Sequence, residues 1–308
     1  MSRKPADSHI DHYRRRFLKG LSGTVVAAAT PGTARAAWGG NTLADAFADF
    51  LQDHYQRMTQ EEIADTLARI ERKAKRRYGT GITCKNTPPQ DGVVYGYALN
   101  ISKCRGYREC VSACMLENNL SRDMRYIQVL EMDNGSLNFE KADRYYDRDT
   151  LPAKGKYYLP IQCMHCDDAP CVKACPVEAT WTEPDGIVVV DYDWCIGCRY
   201  CMIACPYEAR HFNWGKPDLP AGEINPDTHF LGNRPRPTGV VEKCHFCIQR
   251  TRANHQPACQ EACPTGARIF GNILDPNSEI RYVLENKAVF RLKEDLGTEP
   301  KFWYFHDD

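Results

Sequence analysis

The sequence predicts an α+β protein assembled from small, repeated metal-binding modules. Three observations carry that expectation. Sixteen cysteines occur in 308 residues, and fifteen of them fall into four groups of similar spacing. Short β-branched runs lead into some groups, Ile187-Val188-Val189-Val190 before Cys195 and Val240-Val241 before Cys244. Alanine-containing stretches that read as short helices follow, such as 201–209. A strand, a loop and a short helix recurring with each group make a weak fourfold repeat.

Composition bounds the rest. A chain of 308 residues can bury one or two real cores. Its 43% hydrophobic content sets disorder aside. A formal net charge of zero gives no electrostatic reason to expect nucleic acid as a partner.

The first 36 residues are set apart from the fold. Arg14-Arg15-Arg16-Phe17-Leu18-Lys19 is followed by a weakly apolar run from Leu21 to Ala29 and by Ala34-Arg35-Ala36, an A-x-A cleavage signal. That run is shorter than the roughly 20 apolar residues a membrane helix needs. The pattern resembles a twin-arginine (Tat) signal peptide, which implies export of the folded chain to the periplasm. No later segment is apolar and long enough to span a bilayer, so any membrane association is expected to go through partners alone.

Residues 37–92 hold no cysteine group. Leu43, Phe47, Phe50, Leu51, Met58, Ile63, Leu67 and Ile70 recur at near-helical spacing, so a helical N-terminal extension of one or two amphipathic helices is expected. Arg69, Arg72, Lys73, Lys75, Arg76 and Arg77 crowd its end, either as a solvated helix C-terminus or as a docking patch for an acidic partner. The cysteine groups occupy 93–275. Residues 276–308 form a C-terminal tail, expected as a helix followed by an extended aromatic end.

The third cysteine group, Cys195-x2-Cys198-x2-Cys201-x3-Cys205-Pro206, has the bacterial ferredoxin spacing. Three cysteines on a tight loop hold three irons of one cubane. The fourth, one helical turn on, points away to a second cluster. Gly197 eases the loop where the backbone passes close to the cluster. The second group, Cys163-x2-Cys166-x4-Cys171-x3-Cys175-Pro176, has two extra residues, and the fourth, Cys244-x2-Cys247-x11-Cys259-x3-Cys263-Pro264, a longer insertion. The first is Cys104-x5-Cys110-x3-Cys114, with Tyr107 where the second cysteine is expected and Met115 where the proline is. Zinc hairpins stop at four ligands and do not call for a C-x3-C-P after each triplet. Closely spaced triplets are also poor disulfide geometry. The rival of a zinc- or disulfide-stapled exported protein therefore ranks below iron–sulfur clusters.

The crosswise ligand rule then gives four sets. The second and third groups pair, with Cys163, Cys166, Cys171 and Cys205 in one set and Cys195, Cys198, Cys201 and Cys175 in the other. The outer groups pair likewise, giving Cys244, Cys247, Cys259 and Cys114, then Cys104, Cys110 and Cys263 with a vacancy at Tyr107. Each half is a two-cluster, ferredoxin-like module, and the whole is a tandem of such modules with loop insertions.

On these motifs, residues 93–275 resemble the four-cluster iron–sulfur subunits of the DMSO reductase β-subunit superfamily. Among these, the chain looks most like periplasmic members of the Dsr-complex and nitrite-reductase (NrfC) type. The resemblance implies an electron-transfer subunit without a catalytic site of its own. Its partners would be an NrfD-like, quinone-reactive membrane subunit and a further redox subunit, a cytochrome c or a molybdopterin protein. The alternative within the family is the β-subunit of a tetrathionate, polysulfide or DMSO reductase. The cofactors implied are three [4Fe–4S] clusters and an atypical fourth. Related nitrate reductase subunits carry an aromatic residue at one ligand position and hold a [3Fe–4S] centre there, which makes that the expectation at Tyr107. Two roles stay open for Cys84, the missing ligand or a spare buried thiol. His165, His211 and His245 lie near the motifs and are expected to pack or hydrogen-bond rather than ligate. No nucleophile–base motif or phosphate loop is present.

Overall fold

The computed structural model describes residues 59–307, together with the backbone of two short antiparallel strands, Arg15–Phe17 and Tyr55–Arg57. Apart from the first of these strands, the expected signal peptide lies outside the described residues, as do the apolar positions Leu43, Phe47, Phe50, Leu51 and Met58.

The first long element is helix Gln60–Tyr78. A capping box starts it: Glu62 N donates to Thr59 Oγ1 at 3.2 Å, and Thr59 N donates to Glu62 Oε2 at 3.0 Å. Gly79, at φ 74°, ends it in the left-handed conformation that favours glycine. The helix buries Ile63, Thr66 and Ala74, and carries Lys75, Arg76 and Arg77 in its last turn, where cations complement the dipole. Strand Thr83–Lys85 follows and pairs in parallel with Asp227–His229.

A four-stranded sheet forms the back of the molecule, in the order Arg268–Asn272, Tyr95–Asn100, Phe302–Phe305, Val289–Phe290. Tyr95–Asn100 lies antiparallel to Arg268–Asn272 and parallel to Phe302–Phe305, with Ala98 opposite both Ile269 and Trp303. Every residue of Tyr95–Asn100 is buried, so the strand shows no in–out alternation. The ring of Tyr97 stacks on Phe302 with centroids 5.0 Å apart. At Gly96 a Cβ would come within 2.6 Å of Ile273 and 2.8 Å of Trp303, so helix Glu279–Asn286 and its flanking chain can pack against the sheet only where the side chain is absent. The segment after 275 is thus a helix and two strands, and its aromatic end lies inside the sheet.

In front of the sheet, short hairpins and one-turn helices alternate. Thr180–Thr182 pairs with Val188–Val190, and His211–Phe212 with Val241–Glu242. Helix Pro170–Lys173 packs on Tyr200–Ile203, and Glu109–Glu117 packs on Ala258–Glu261. The second cysteine group therefore faces the third, and the first faces the fourth. The chain is an α+β protein, and among its described residues no helix is long and apolar enough to cross a membrane.

Candidate iron–sulfur centres

Each cysteine loop is bent by residues with positive φ. Arg108, Arg199 and Cys247 stand at φ 62°, 66° and 51° immediately before short helices. Gly197 is at φ 73°, and a Cβ there would run into the carbonyl oxygen of Gly239. Three residues after the last cysteine of the second, third and fourth groups, Glu178, Glu208 and Gly266 all take positive φ. That recurrence makes the repeat visible in the backbone. Left-handed residues this dense mark sharply bent loops, of the kind that cluster at ligand clamps.

No disulfide joins any of the sixteen cysteines. Cys166 lies beside Cys163, Cys171 and Cys205, and these four line one recess with Val188 and Arg210. Cys201 neighbours Cys195 and Cys175, and Cys175 neighbours Cys198. Cys114, from a helix of the first group, neighbours Cys244, Cys247 and Cys259 of the fourth. Cys104 neighbours Cys110 and Cys263, and all three line a second recess with Tyr107 and Arg268. Thiols of the second and third groups thus meet, as do those of the first and fourth, and Cys244 also lies near Cys163 and Cys110 near Cys259. Cys84 sits elsewhere, buried in strand Thr83–Lys85 with its N–H donating to Glu71 Oε1 at 2.9 Å, and is not part of the Tyr107 recess.

Burial pushes Cys166 and Cys244 up to about 12, and Cys104 and Cys201 up to about 11. At Cys263 burial acts the same way but is outweighed by hydrogen bonds from Thr265 and Ala267, and the thiol is lowered. Grouped, soft donors shielded from water suit iron better than hard cations. Among the described residues no three His, Cys, Asp or Glu side chains converge closely enough for a single ion. Two of the thiol groups line recesses instead.

Around these recesses stand donors that sequence reasoning did not single out. Arg210 Nη2 donates to Cys171 Sγ at 3.1 Å and to Thr180 Oγ1 at 2.9 Å, while its Nε and Nη1 are buried without partners. Arg268 Nη1 donates to Gln162 Oε1 at 2.8 Å and lies 3.9 Å from Cys259 Sγ, and its Nη2 has no partner. Burial alone would push both guanidiniums down, but the surrounding thiols hold them above the usual range. Lys243 Nζ donates to the carbonyls of Val188 and Cys244. Buried donors left open toward a ring of thiols fit a group rich in acceptor sulfur, so the residues suit iron–sulfur clusters. A signal for two of the cations exists in the repeat: Arg210 and Arg268 each stand five residues after the last cysteine of their group.

Of the three histidines near the motifs, His165 stacks on Phe246 with centroids 3.6 Å apart, and its Nδ1 accepts from Val188 N at 3.0 Å. His245 Nδ1 accepts from Ile248 N, and His211 stacks on Tyr126. All three have Nε2 buried and unpartnered. Tyr107 is more than one-third exposed at the rim of its recess.

Comparison with known proteins finds iron–sulfur relatives. A 4Fe–4S dicluster domain model matches residues 155–223 and 231–273. The chain is 39% identical over 214 residues to the iron–sulfur subunit of a putative dimethyl sulfoxide reductase of Halobacterium salinarum, covering 70% of this chain and 79% of the relative. It is 36% identical over 240 residues to the iron–sulfur cluster-binding subunit of menaquinone reductase from Nitratidesulfovibrio vulgaris, covering 69% and 88%. It is 34% identical over 215 residues to protein NrfC of Escherichia coli, covering 69% and 81%. With relatives of this identity and coverage, the chain belongs to the 4Fe–4S iron–sulfur electron-transfer subunits of the DMSO reductase β-subunit family.

Proposed function

We propose that this chain is exported by the twin-arginine route through residues 1–36 and works in the periplasm as a relay for single electrons. Cys163, Cys166, Cys171 and Cys205 would hold one [4Fe–4S] cluster, Cys175, Cys195, Cys198 and Cys201 a second, and Cys114, Cys244, Cys247 and Cys259 a third. Cys104, Cys110 and Cys263, beside Tyr107, would hold a fourth and atypical centre of the [3Fe–4S] kind. When bound, such clusters each accept and release one electron. The protein supplies the ligands, excludes water and aims fixed donors at the sulfurs. It needs no catalytic site of its own. The observation that carries the proposal is the meeting of thiols from different groups, Cys205 with the second and Cys114 with the fourth.

The menaquinone reductase relative favours a quinone-linked complex, with an NrfD-like membrane subunit on one side and a cytochrome c or molybdopterin protein on the other, as in a Dsr-type assembly. The dimethyl sulfoxide reductase relative from Halobacterium supports a second reading, the β-subunit of a molybdopterin oxidoreductase. Gentle detergent extraction tests both. The chain should co-purify with a multi-helix membrane subunit, and menaquinol should bleach its visible absorption. Recovery as a free monomer that the quinol complex cannot reduce would overturn the relay proposal. A molybdopterin protein in the same fraction would select the second reading.

A further inference from the structure

Among the described residues seven cationic side chains are buried: Arg210, Arg234, Arg236, Lys243, Arg252, Arg268 and Lys301. Four have a carboxylate partner within 4.0 Å, namely Arg234 with Asp193, Arg236 with Glu242, Arg252 with Glu183 and Asp185, and Lys301 with Asp167. For the other three, no carboxylate of the described residues forms such a pair. Stranding a buried charge costs several kcal/mol, so its compensation must come from elsewhere.

The three are placed alike. Arg210 donates to Cys171 of one thiol group and also reaches Cys201 of the next. Lys243 holds the carbonyl of Val188, a wall of the Cys163–Cys166–Cys171–Cys205 recess, and that of Cys244 in the following group. Arg268 lines the Cys104–Cys110–Cys263 recess and approaches Cys259 of the neighbouring group.

We propose that Arg210, Lys243 and Arg268 are junction cations, one between each adjacent pair of centres, that hold up the reduction potentials of both neighbours at once. The proposal rests on the relay reading above. It also orders the relay. The Cys175–Cys195–Cys198–Cys201 centre lies at one end, followed across Arg210 by Cys163–Cys166–Cys171–Cys205. Lys243 leads on to Cys114–Cys244–Cys247–Cys259, and Arg268 to the Tyr107 centre. Each reduction adds one electron and one negative charge with no proton taken up. Burial lowers Lys243, against the pull of Cys163, Cys244 and Cys171, whereas the arginines stay charged; a cation held at low effective dielectric favours the added negative charge on either side of it.

The test is an anaerobic redox titration of the cluster-loaded full chain, followed by EPR and visible absorption. Arg210→Gln, Lys243→Gln and Arg268→Gln should each lower two of the four midpoints, a different pair each time. A tenfold change in each reduction equilibrium, about 59 mV for one electron, is expected. Arg210→Lys, Lys243→Arg and Arg268→Lys should hold the midpoints near wild type. Where a neutral variant does not keep its iron, Gln162→Glu beside Arg268 or Thr180→Asp beside Arg210 cancels the cation in place and should lower the same two midpoints. A shift at one centre only, an equal shift at all four, or none with iron retained would overturn the proposal. So would equal shifts in the charge-retaining variants, which mark a packing role. A wild-type chain without reducible centres would instead defeat the relay reading itself.

Discussion

Asn118 Nδ2 lies 3.5 Å from the sulfur of Cys247, a residue 129 positions later in the chain, and equally 3.5 Å from Cys114 Sγ. One amide thus serves thiols from the first and fourth groups. N–H donors to cluster sulfur favour the reduced state, because the acceptor gains charge. Asn118→Leu should lower the midpoint of the Cys114–Cys244–Cys247–Cys259 centre alone, by about 60 mV if one hydrogen bond's worth of differential stabilisation is lost. Redox titration checks the value and its confinement to one centre.

Cys205→Ala should cost the cluster held by Cys163, Cys166 and Cys171, and spare the one on its own loop. Iron content and the spectrum of the remaining centres distinguish the two. Loss of the cluster on Cys195, Cys198 and Cys201 would contradict the crosswise sets.

Tyr107 offers a hard oxygen on a bulky ring where soft thiolate is preferred. The loaded chain should hold about 15 irons, three fours and a three. The oxidised protein should give the EPR signal of a three-iron centre, and Tyr107→Cys should abolish it and add a fourth reducible cubane. An anaerobic wild type that is silent, together with a Cys84→Ala variant that shows the signal, would make Cys84 the missing ligand.

Arg252 is buried with both its carboxylates, donating to Asp185 Oδ2 at 2.8 Å and to Glu183 Oε2 at 2.9 Å. Arg252→Met leaves two buried acids uncompensated and should destabilise the fold by about 3–5 kcal/mol. Anaerobic denaturant unfolding of the loaded protein reads the loss.

His229 is buried and pushed down to about 3 by desolvation and then by Arg252. Its Nδ1 accepts from Leu231 N, and its Nε2 donates to Thr87 O, the pattern of a neutral ring. The folded pKa lies below the unfolded value near 6.5, so the unfolded chain takes up the proton first and stability falls as pH drops. Between pH 7 and pH 5 this group alone should remove about 2 kcal/mol. The difference in unfolding free energy between wild type and His229→Gln, measured at both pH values, should shrink accordingly on acidification.

The four cysteine groups were legible because ligand spacing is local and strict. Cys104 to Cys263 announce themselves, and the third group alone implies a partner cluster. The junction cations were not legible one by one. Arg210, Lys243 and Arg268 are single basic residues with nothing local to mark them, and only the fold reveals that no carboxylate of the described residues pairs with them. The sheet hid for another reason. Tyr95–Asn100 and Phe302–Phe305 are buried on both faces, so neither alternates, and a parallel pairing over such a sequence distance leaves no local trace. The helix from Gln60 was readable in the apolar spacing of Ile63, Leu67 and Ile70.

Strand Tyr95–Asn100 takes both its neighbours, Arg268–Asn272 and Phe302–Phe305, from the far end of the sequence. During synthesis it therefore leaves the ribosome with its edges bare and waits for nearly the whole chain. The thiols of the first group wait with it, since their companions Cys244 to Cys263 are translated just as late. Assembly of this half is a post-translational event with a vulnerable interval, in which unpaired strand edges and reduced thiols are open to aggregation and oxidation.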